Sequence, residues 1–148
     1  MRYYLNIGSN LGDRRAVLHR AIAALSGGTG GCMVSRIVET APWGFESANA
    51  FLNVGVAVDS RRQPMEMLDW LQDIERRLGS GAHRNSDGTY RDRELDIDIM
   101  AIERCDKQGQ WHEVTIDEPR LQVPHKHLHE RVFFPEPLAE LRRWQSRR

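Results

Sequence analysis

The sequence lacks an excess of either charge: its 148 residues carry 21 lysines and arginines against 21 aspartates and glutamates, a formal net charge of zero. A nucleic-acid module normally shows a basic excess, so nucleic acid is not the expected partner and any working charge must be local. Cysteine is scarce. Cys32 and Cys105 have no partnered spacing and make no disulfide framework, which suits a reducing compartment. Long apolar runs are missing as well. Nothing approaches the roughly 20 residues of a membrane-spanning helix. The opening Met1-Arg2-Tyr3-Tyr4-Leu5-Asn6 runs into a strand-like segment instead of a secretory apolar stretch. A cytoplasmic protein without a membrane is therefore expected. A P-loop, G-x-x-x-x-G-K-[ST], is absent, and no Ser-His-Asp or Cys-His signature announces a protein nucleophile.

What is present reads as one domain, residues 1–148, with no repeat or linker. Tyr3 to Ile7 is an apolar run that ends at Gly8-Ser9-Asn10-Leu11-Gly12-Asp13. That pattern predicts a strand stopping at a turn, then a helix capped by Asp13 or Asn10. Val17, Leu18, Ala21, Ile22 and Leu25 form the helical stripe, and the glycines from 27 to 31 break it. Strands are expected over Met33 to Thr40 and Phe51 to Val58, with a long loop between them. Pro64 opens a second helix, with Met67, Leu71, Ile74 and Leu78 on its buried face and Gly79 at its C-terminal cap. Gly79 to Tyr90 is polar and reads as a mobile loop, Leu95 to Ile102 as an alternating strand, and Pro137 to Trp144 as a final helix. Strand, helix, strand, strand, helix, strand is the order of a ferredoxin-like α+β fold. Its antiparallel sheet is expected to carry helices on one face, followed by a C-terminal extension.

Leu95-Asp96-Ile97-Asp98-Ile99 carries the most chemistry. Side chains alternate along a strand, so both aspartates share one face, their anchors roughly 6.6 Å apart. Like charges that close repel, and a cation between them removes the penalty; Mg²⁺ suits a few carboxylates plus phosphate oxygens and water. Arg84, Arg91 and Arg93 precede the pair, and acids beside arginines form the charge pattern of phosphoryl transfer. Taken alone, the same acids also fit a solvated strand face. Gln72 and Glu75 share a helix face, able to bond a base or steady an arginine. His125, His127 and His129 alternate after Pro124, which raises zinc as a question. They also fit a polar loop, with His125 and Arg131 as phosphate donors. Phe51 and Asn53 share a strand face, and a ring beside an amide suits a planar heterocycle. Trp43, Phe45, Phe133 and Phe134 could add ring surface or simply line a core.

Together these segments resemble 6-hydroxymethyl-7,8-dihydropterin pyrophosphokinase, a folate-pathway family. The resemblance rests on Ile7-Gly8-Ser9-Asn10-Leu11-Gly12, Glu39-Thr40-Ala41-Pro42-Trp43-Gly44, Phe51-Leu52-Asn53, Gln72-Asp73-Ile74-Glu75, the run from Arg93 to Met100, and Val123-Pro124-His125. Each motif is weak alone; six in order along nearly the whole chain are specific. The resemblance implies a ferredoxin-like fold and transfer of pyrophosphate from ATP to the pterin hydroxymethyl group. It implies two Mg²⁺ ions on Asp96 and Asp98, and catalytic roles for Arg93, Arg84 and the two aspartates. Thr40, Pro42, Trp43, Phe51, Asn53 and Phe133 would bind the pterin. Gln72, Glu75, Arg93, Ile99, Arg120, Gln122, His125 and Arg131 would line the ATP site. The expected partners are these two small molecules, with no obligate protein partner. Tyr90, Asp92 and Ala41 depart from the family pattern, which often has Trp, Pro and a second Pro there. Two other readings stay open at this stage: a ferredoxin-like ligand-binding module without catalysis, and a metal-dependent phosphodiesterase.

Overall fold

The computed structural model describes residues 1–10, 12–41, 50–79, 95–128 and 134–145. Strand β1 (Arg2–Ser9) leads to helix α1 (Arg14–Gly27), strands β2 (Cys32–Thr40) and β3 (Phe51–Asp59), and helix α2 (Pro64–Leu78). Strand β4 (Asp96–Cys105), the short strands β5 (Trp111–Glu113), β6 (Ile116–Glu118) and β7 (Leu121–Val123), and helix α3 (Pro135–Gln145) follow. An antiparallel sheet runs in the order β2-β3-β1-β4-β5, and β6 and β7 form a separate hairpin. The fold is α+β.

Local chemistry sets the helix ends. The Asp13 side chain accepts from the Ala16 amide at 3.2 Å and so satisfies one orphan donor of α1. Pro64 opens α2 where a missing N–H costs nothing. Gly79 ends α2 in an extended conformation, not a left-handed one. Glycine is needed there because an added Cβ would lie 2.8 Å from Leu95 Cβ.

One sheet face is buried by two helices. Leu5, Ile7, Val54, Val56, Val58, Ile97, Ile99 and Ile102 pack under Val17, Leu18, Ala21 and Leu25 of α1 and Met67, Leu71 and Ile74 of α2. The expectation of helices on one face only is corrected by α3. Phe134, Leu138 and Leu141 pack on the opposite face, against Tyr4, Ala57, Met100 and Ala101. An apolar stripe shows that a helix is covered, not which side of a sheet covers it.

A bulge in β4 ties the two faces together. Leu5 pairs with Ile99 and Tyr4 with Ala101, leaving Met100 as the extra residue. The unbroken alternation expected to Ile102 therefore reverses. Ile97, Ile99 and then Ile102 enter the core under α1 and α2, while Met100 and Ala101 pack on the α3 side. By the same alternation Asp96 and Asp98 stand on the α3 side. That face thus has an apolar end under α3 and a polar end carrying Asn6, Gly8, Phe51, Asn53, Asp96 and Asp98.

Helix α3 also holds the outer strand. Glu140 Oε2 accepts from the Arg36 amide at 3.3 Å, and at a second bulge Ser35 Oγ accepts from the Gly55 amide at 2.7 Å. A Cβ at Gly55 would lie 2.7 Å from Pro137 Cβ, so β3 and α3 approach closely only through glycine. Gly55→Val is expected to lower stability by about 1–3 kcal/mol through overpacking, read as a reduced unfolding midpoint in urea. A midpoint equal to wild type would contradict this packing.

Candidate active site

The polar end of the α3 face begins with a chain of three side chains. Asn6 Nδ2 donates to Asn53 Oδ1 at 3.1 Å, and Asn53 Nδ2 donates to Thr40 Oγ1 at 2.8 Å. Phe51 pairs with Thr40 across β2 and β3, so its ring shares their side. Gly8 pairs with Asn53 on one flank and Asp96 on the other. A Cβ there would sit 2.9 Å from Asn53 Oδ1 and 3.4 Å from Phe51 Cδ1. The sequence placed Gly8 in a turn; it lies inside β1, where its missing side chain makes room for the amide and the ring. A nearly buried ring beside a fixed carboxamide can hold a flat, hydrogen-bonding heterocycle by one face and one edge.

Beyond β1 lie the acids. Asp98 pairs with Asn6, and Asp96 with Gly8. Glu75 of α2 is buried behind them, and its Oε2 accepts from the Ile97 amide at 3.0 Å. Burial, then the nearby Asp96 carboxylate, raises the Glu75 carboxyl from its ordinary 4.5 to about 9. Glu75 therefore keeps its proton near neutral pH, and the carboxylate oxygens of Asp96 and Asp98 are donors of the kind that fits a hard cation such as Mg²⁺. Among the described residues no group of three or more histidine, cysteine, aspartate or glutamate side chains converges as a ligand set. Asp96 and Asp98 would be the protein's contribution, with phosphate oxygens and water completing the shell.

A cavity of about 210 Å³ opens beside Asp98, lined also by Ile97, Ile99, Arg120, Gln122, His125 and Lys126. It lies between β4 and the β6–β7 hairpin, where the short β5 no longer covers β4. The His125 amide donates to the Met100 carbonyl at 2.9 Å, fixing the loop after β7 to the bulge. The His125 ring packs edge-on against Phe134, its Nδ1 accepts from the His127 amide at 3.0 Å, and its Nε2 lies 3.7 Å from Asp98 Oδ1. Arg120 is oriented by Asp69 Oδ1 at 2.7 Å and Gln72 Oε1 at 3.1 Å. Two cations and an imidazole beside carboxylates can take a polyphosphate and a cation together.

The structure thus gathers Ile99, Arg120, Gln122 and His125 around Asp98, and Thr40, Phe51 and Asn53 into one neighbouring group. Gln72 stands one step behind, holding Arg120 instead of lining the cavity. Glu75 stands behind Asp96. Pro42, Trp43, Arg84, Arg93, His129, Arg131 and Phe133 lie outside the described residues, as does the loop expected up to Tyr90. Sequence reasoning missed Lys126, Gly8 and Asn6. The available signal for Asn6 was a lone amide within an apolar strand run.

Comparison with known proteins gives a consistent picture. The family model for 7,8-dihydro-6-hydroxymethylpterin-pyrophosphokinase (HPPK) matches residues 4–143. The chain is 39% identical over 142 residues to the 2-amino-4-hydroxy-6-hydroxymethyldihydropteridine pyrophosphokinase of Porphyromonas gingivalis, covering 95% of this chain and 90% of that one. Against the proteins of the same name from Methylorubrum extorquens and Bacillus subtilis, identity is 34% over 142 residues and 35% over 140 residues. Coverage of this chain is 95% and 93%, and of those chains 82% and 76%.

The acid cluster has a consequence for stability. The folded protein holds the Glu75 proton more tightly than the unfolded chain does. This group's contribution is therefore complete below pH 4.5 and is lost progressively as pH rises toward about 9. In metal-free buffer, Glu75→Gln should melt with a smaller decline between pH 5 and 9 than wild type. Parallel profiles would show that Glu75 ionises normally.

Proposed function

The chain belongs to the 7,8-dihydro-6-hydroxymethylpterin-pyrophosphokinase family, and from that premise we propose that it transfers pyrophosphate from ATP to 6-hydroxymethyl-7,8-dihydropterin in folate biosynthesis. The observation that carries this reading is the position of Asp98. It borders the cavity with Arg120, Gln122 and His125, and it pairs across β1 with the residue that holds Asn53. A nucleotide in the first and a pterin on the second would meet at this carboxylate.

In this reading Thr40, Phe51 and Asn53 bind the pterin, with Pro42, Trp43 and Phe133 completing its enclosure. Gln72, Glu75, Ile99, Arg120, Gln122 and His125 serve the ATP side together with Arg93 and Arg131. The hydroxymethyl oxygen attacks the β-phosphorus of ATP. The bond from that phosphorus to the oxygen bridging α and β breaks, AMP leaves with the bridging oxygen, and the hydroxyl proton is lost, for which Asp98 is the assigned acceptor. Asp96 and Asp98 would hold magnesium, two ions being expected, which would supply charge neutralisation of the phosphates. Arg93 and Arg84 are assigned to the developing charge, and the rate comes from positioning and electrostatics without a protein nucleophile.

The strand order and helix placement support a ferredoxin-like sheet with β5 and α3 as additions, forming one pyrophosphokinase domain over residues 1–148. No helix among the described residues is long and apolar enough to cross a membrane. We read the protein as cytoplasmic, acting on its two small molecules without an obligate protein partner.

AMP formation should require ATP, Mg²⁺ and the dihydropterin together; AMP released without pterin would favour a phosphodiesterase instead. Asp98→Ala should lower kcat by at least about a hundredfold while the protein remains folded by circular dichroism. Full turnover in that variant would remove Asp98 from the mechanism. Asn53→Ala should raise KM for the pterin about tenfold or more with KM for ATP nearly unchanged, and equal rises would contradict the division of the site.

A further inference from the structure

Asn6 is 2% exposed and lies between Leu5 and Ile7, both in the core. Its Nδ2 is used on Asn53. Its Oδ1 is buried and has no hydrogen-bond partner among the described residues. A buried acceptor left without a donor weakens a fold, and such atoms are rare in native proteins. An aliphatic residue here would carry no such acceptor, but it would leave the buried Asn53 Oδ1 without its donor.

The location of the unsatisfied atom gives it a use. Asn6 pairs with Asp98 in β4 and Gly55 in β3, and its amide reaches toward Asn53. It therefore stands at the seam between the ring-and-amide group and the carboxylates. Its Nδ2 also settles the orientation of Asn53. With Asn53 Oδ1 occupied by Asn6, Asn53 Nδ2 is turned to Thr40 Oγ1. Thr40, Asn53 and Asn6 thus form a polarised chain whose last acceptor is open.

We propose that Asn6 is a substrate-positioning residue. It orients the Asn53 carboxamide, and its own Oδ1 accepts a hydrogen bond from an N–H or O–H donor of the bound dihydropterin. This rests on the function proposed above and adds a recognition element to the pterin side of that site. The donor–acceptor pair forms only with the ligand in place, so the cost of the buried acceptor falls on the free protein and is relieved on binding.

The test uses the full chain with Asn6→Leu, which replaces the amide by an apolar group of similar size, and Asn6→Ala. Dihydropterin is titrated into each protein saturated with a non-hydrolysable ATP analogue and Mg²⁺, and the analogue is titrated separately. Asn6→Leu is expected to remain folded by circular dichroism and to bind dihydropterin at least about tenfold more weakly. Analogue affinity should stay within about twofold, and in steady state KM for the pterin should rise with KM for ATP unchanged. If Asn6→Leu does not fold, the same comparison on Asn6→Ala decides. Equal weakening of both ligands, or unchanged pterin affinity in a folded variant, overturns the inference. If wild type itself binds no dihydropterin, the functional reading falls and this inference with it. Wild type binding tightly while a folded variant binds equally well removes the inference alone.

Discussion

Two aspartates stand on the same side of one end of β4, and the surrounding elements must hold them there against their mutual repulsion. Asp96 and Asp98 share a side of the strand, and Glu75 is buried behind them with its acidity suppressed. Holding like charges together opposes folding, so the surrounding elements must be fixed by other means. The core under α1 and α2 supplies them: the same strand that carries the acids sends Ile97, Ile99 and Ile102 into that core. The acids are tolerated because their strand is anchored through its other face. The repulsion is also what makes the end receptive to a cation and its phosphates.

A single face of the sheet is divided between two purposes, and the bulge at Met100 marks the division. On one side of it Met100 and Ala101 lie beneath α3; on the other the side chains are amides, a phenyl ring, glycine and carboxylates. The bulge also offers the Met100 carbonyl to the His125 amide. The loop that brings His125 to Asp98 is thereby registered to the same irregularity that redirects the strand. Rigid elements position the chemistry on both flanks, with α2 contributing Gln72 and Glu75 from beneath and the β6–β7 hairpin closing the cavity opposite.

Short-range pattern was enough to read much of this. Alternation alone put Asp96 and Asp98 on a common side, since a period of two needs no knowledge of neighbours. Helical stripes placed Val17, Leu18, Ala21 and Leu25, and Met67, Leu71 and Ile74, in the core. Long-range relations escaped. The bulge at Met100 exists only in the pairing with β1, and the choice of face for α3 depends on how β3 meets Pro137. Gly8 read as a turn because glycine usually punctuates; its reason is a side chain 45 positions later, Asn53. Of the cavity group, Ile99, Arg120 and Gln122 have no local signature and came from the resemblance instead of from spacing, whereas His125 was readable locally as a phosphate donor beside Arg131.

The carboxylate of Glu140 on the Arg36 amide has a consequence for self-association. β2 is one of the two edge strands of the sheet, nine residues long, with apolar Met33, Val34, Ile37 and Val38 along it. An open strand of that kind is a template on which a neighbouring molecule can add its own strand. The bulge at Ser35 bends the row of donors out of line, and α3 caps one of them with charge. The same helix that shields the second apolar layer thus also guards against fibrous growth, so loosening it would invite aggregation.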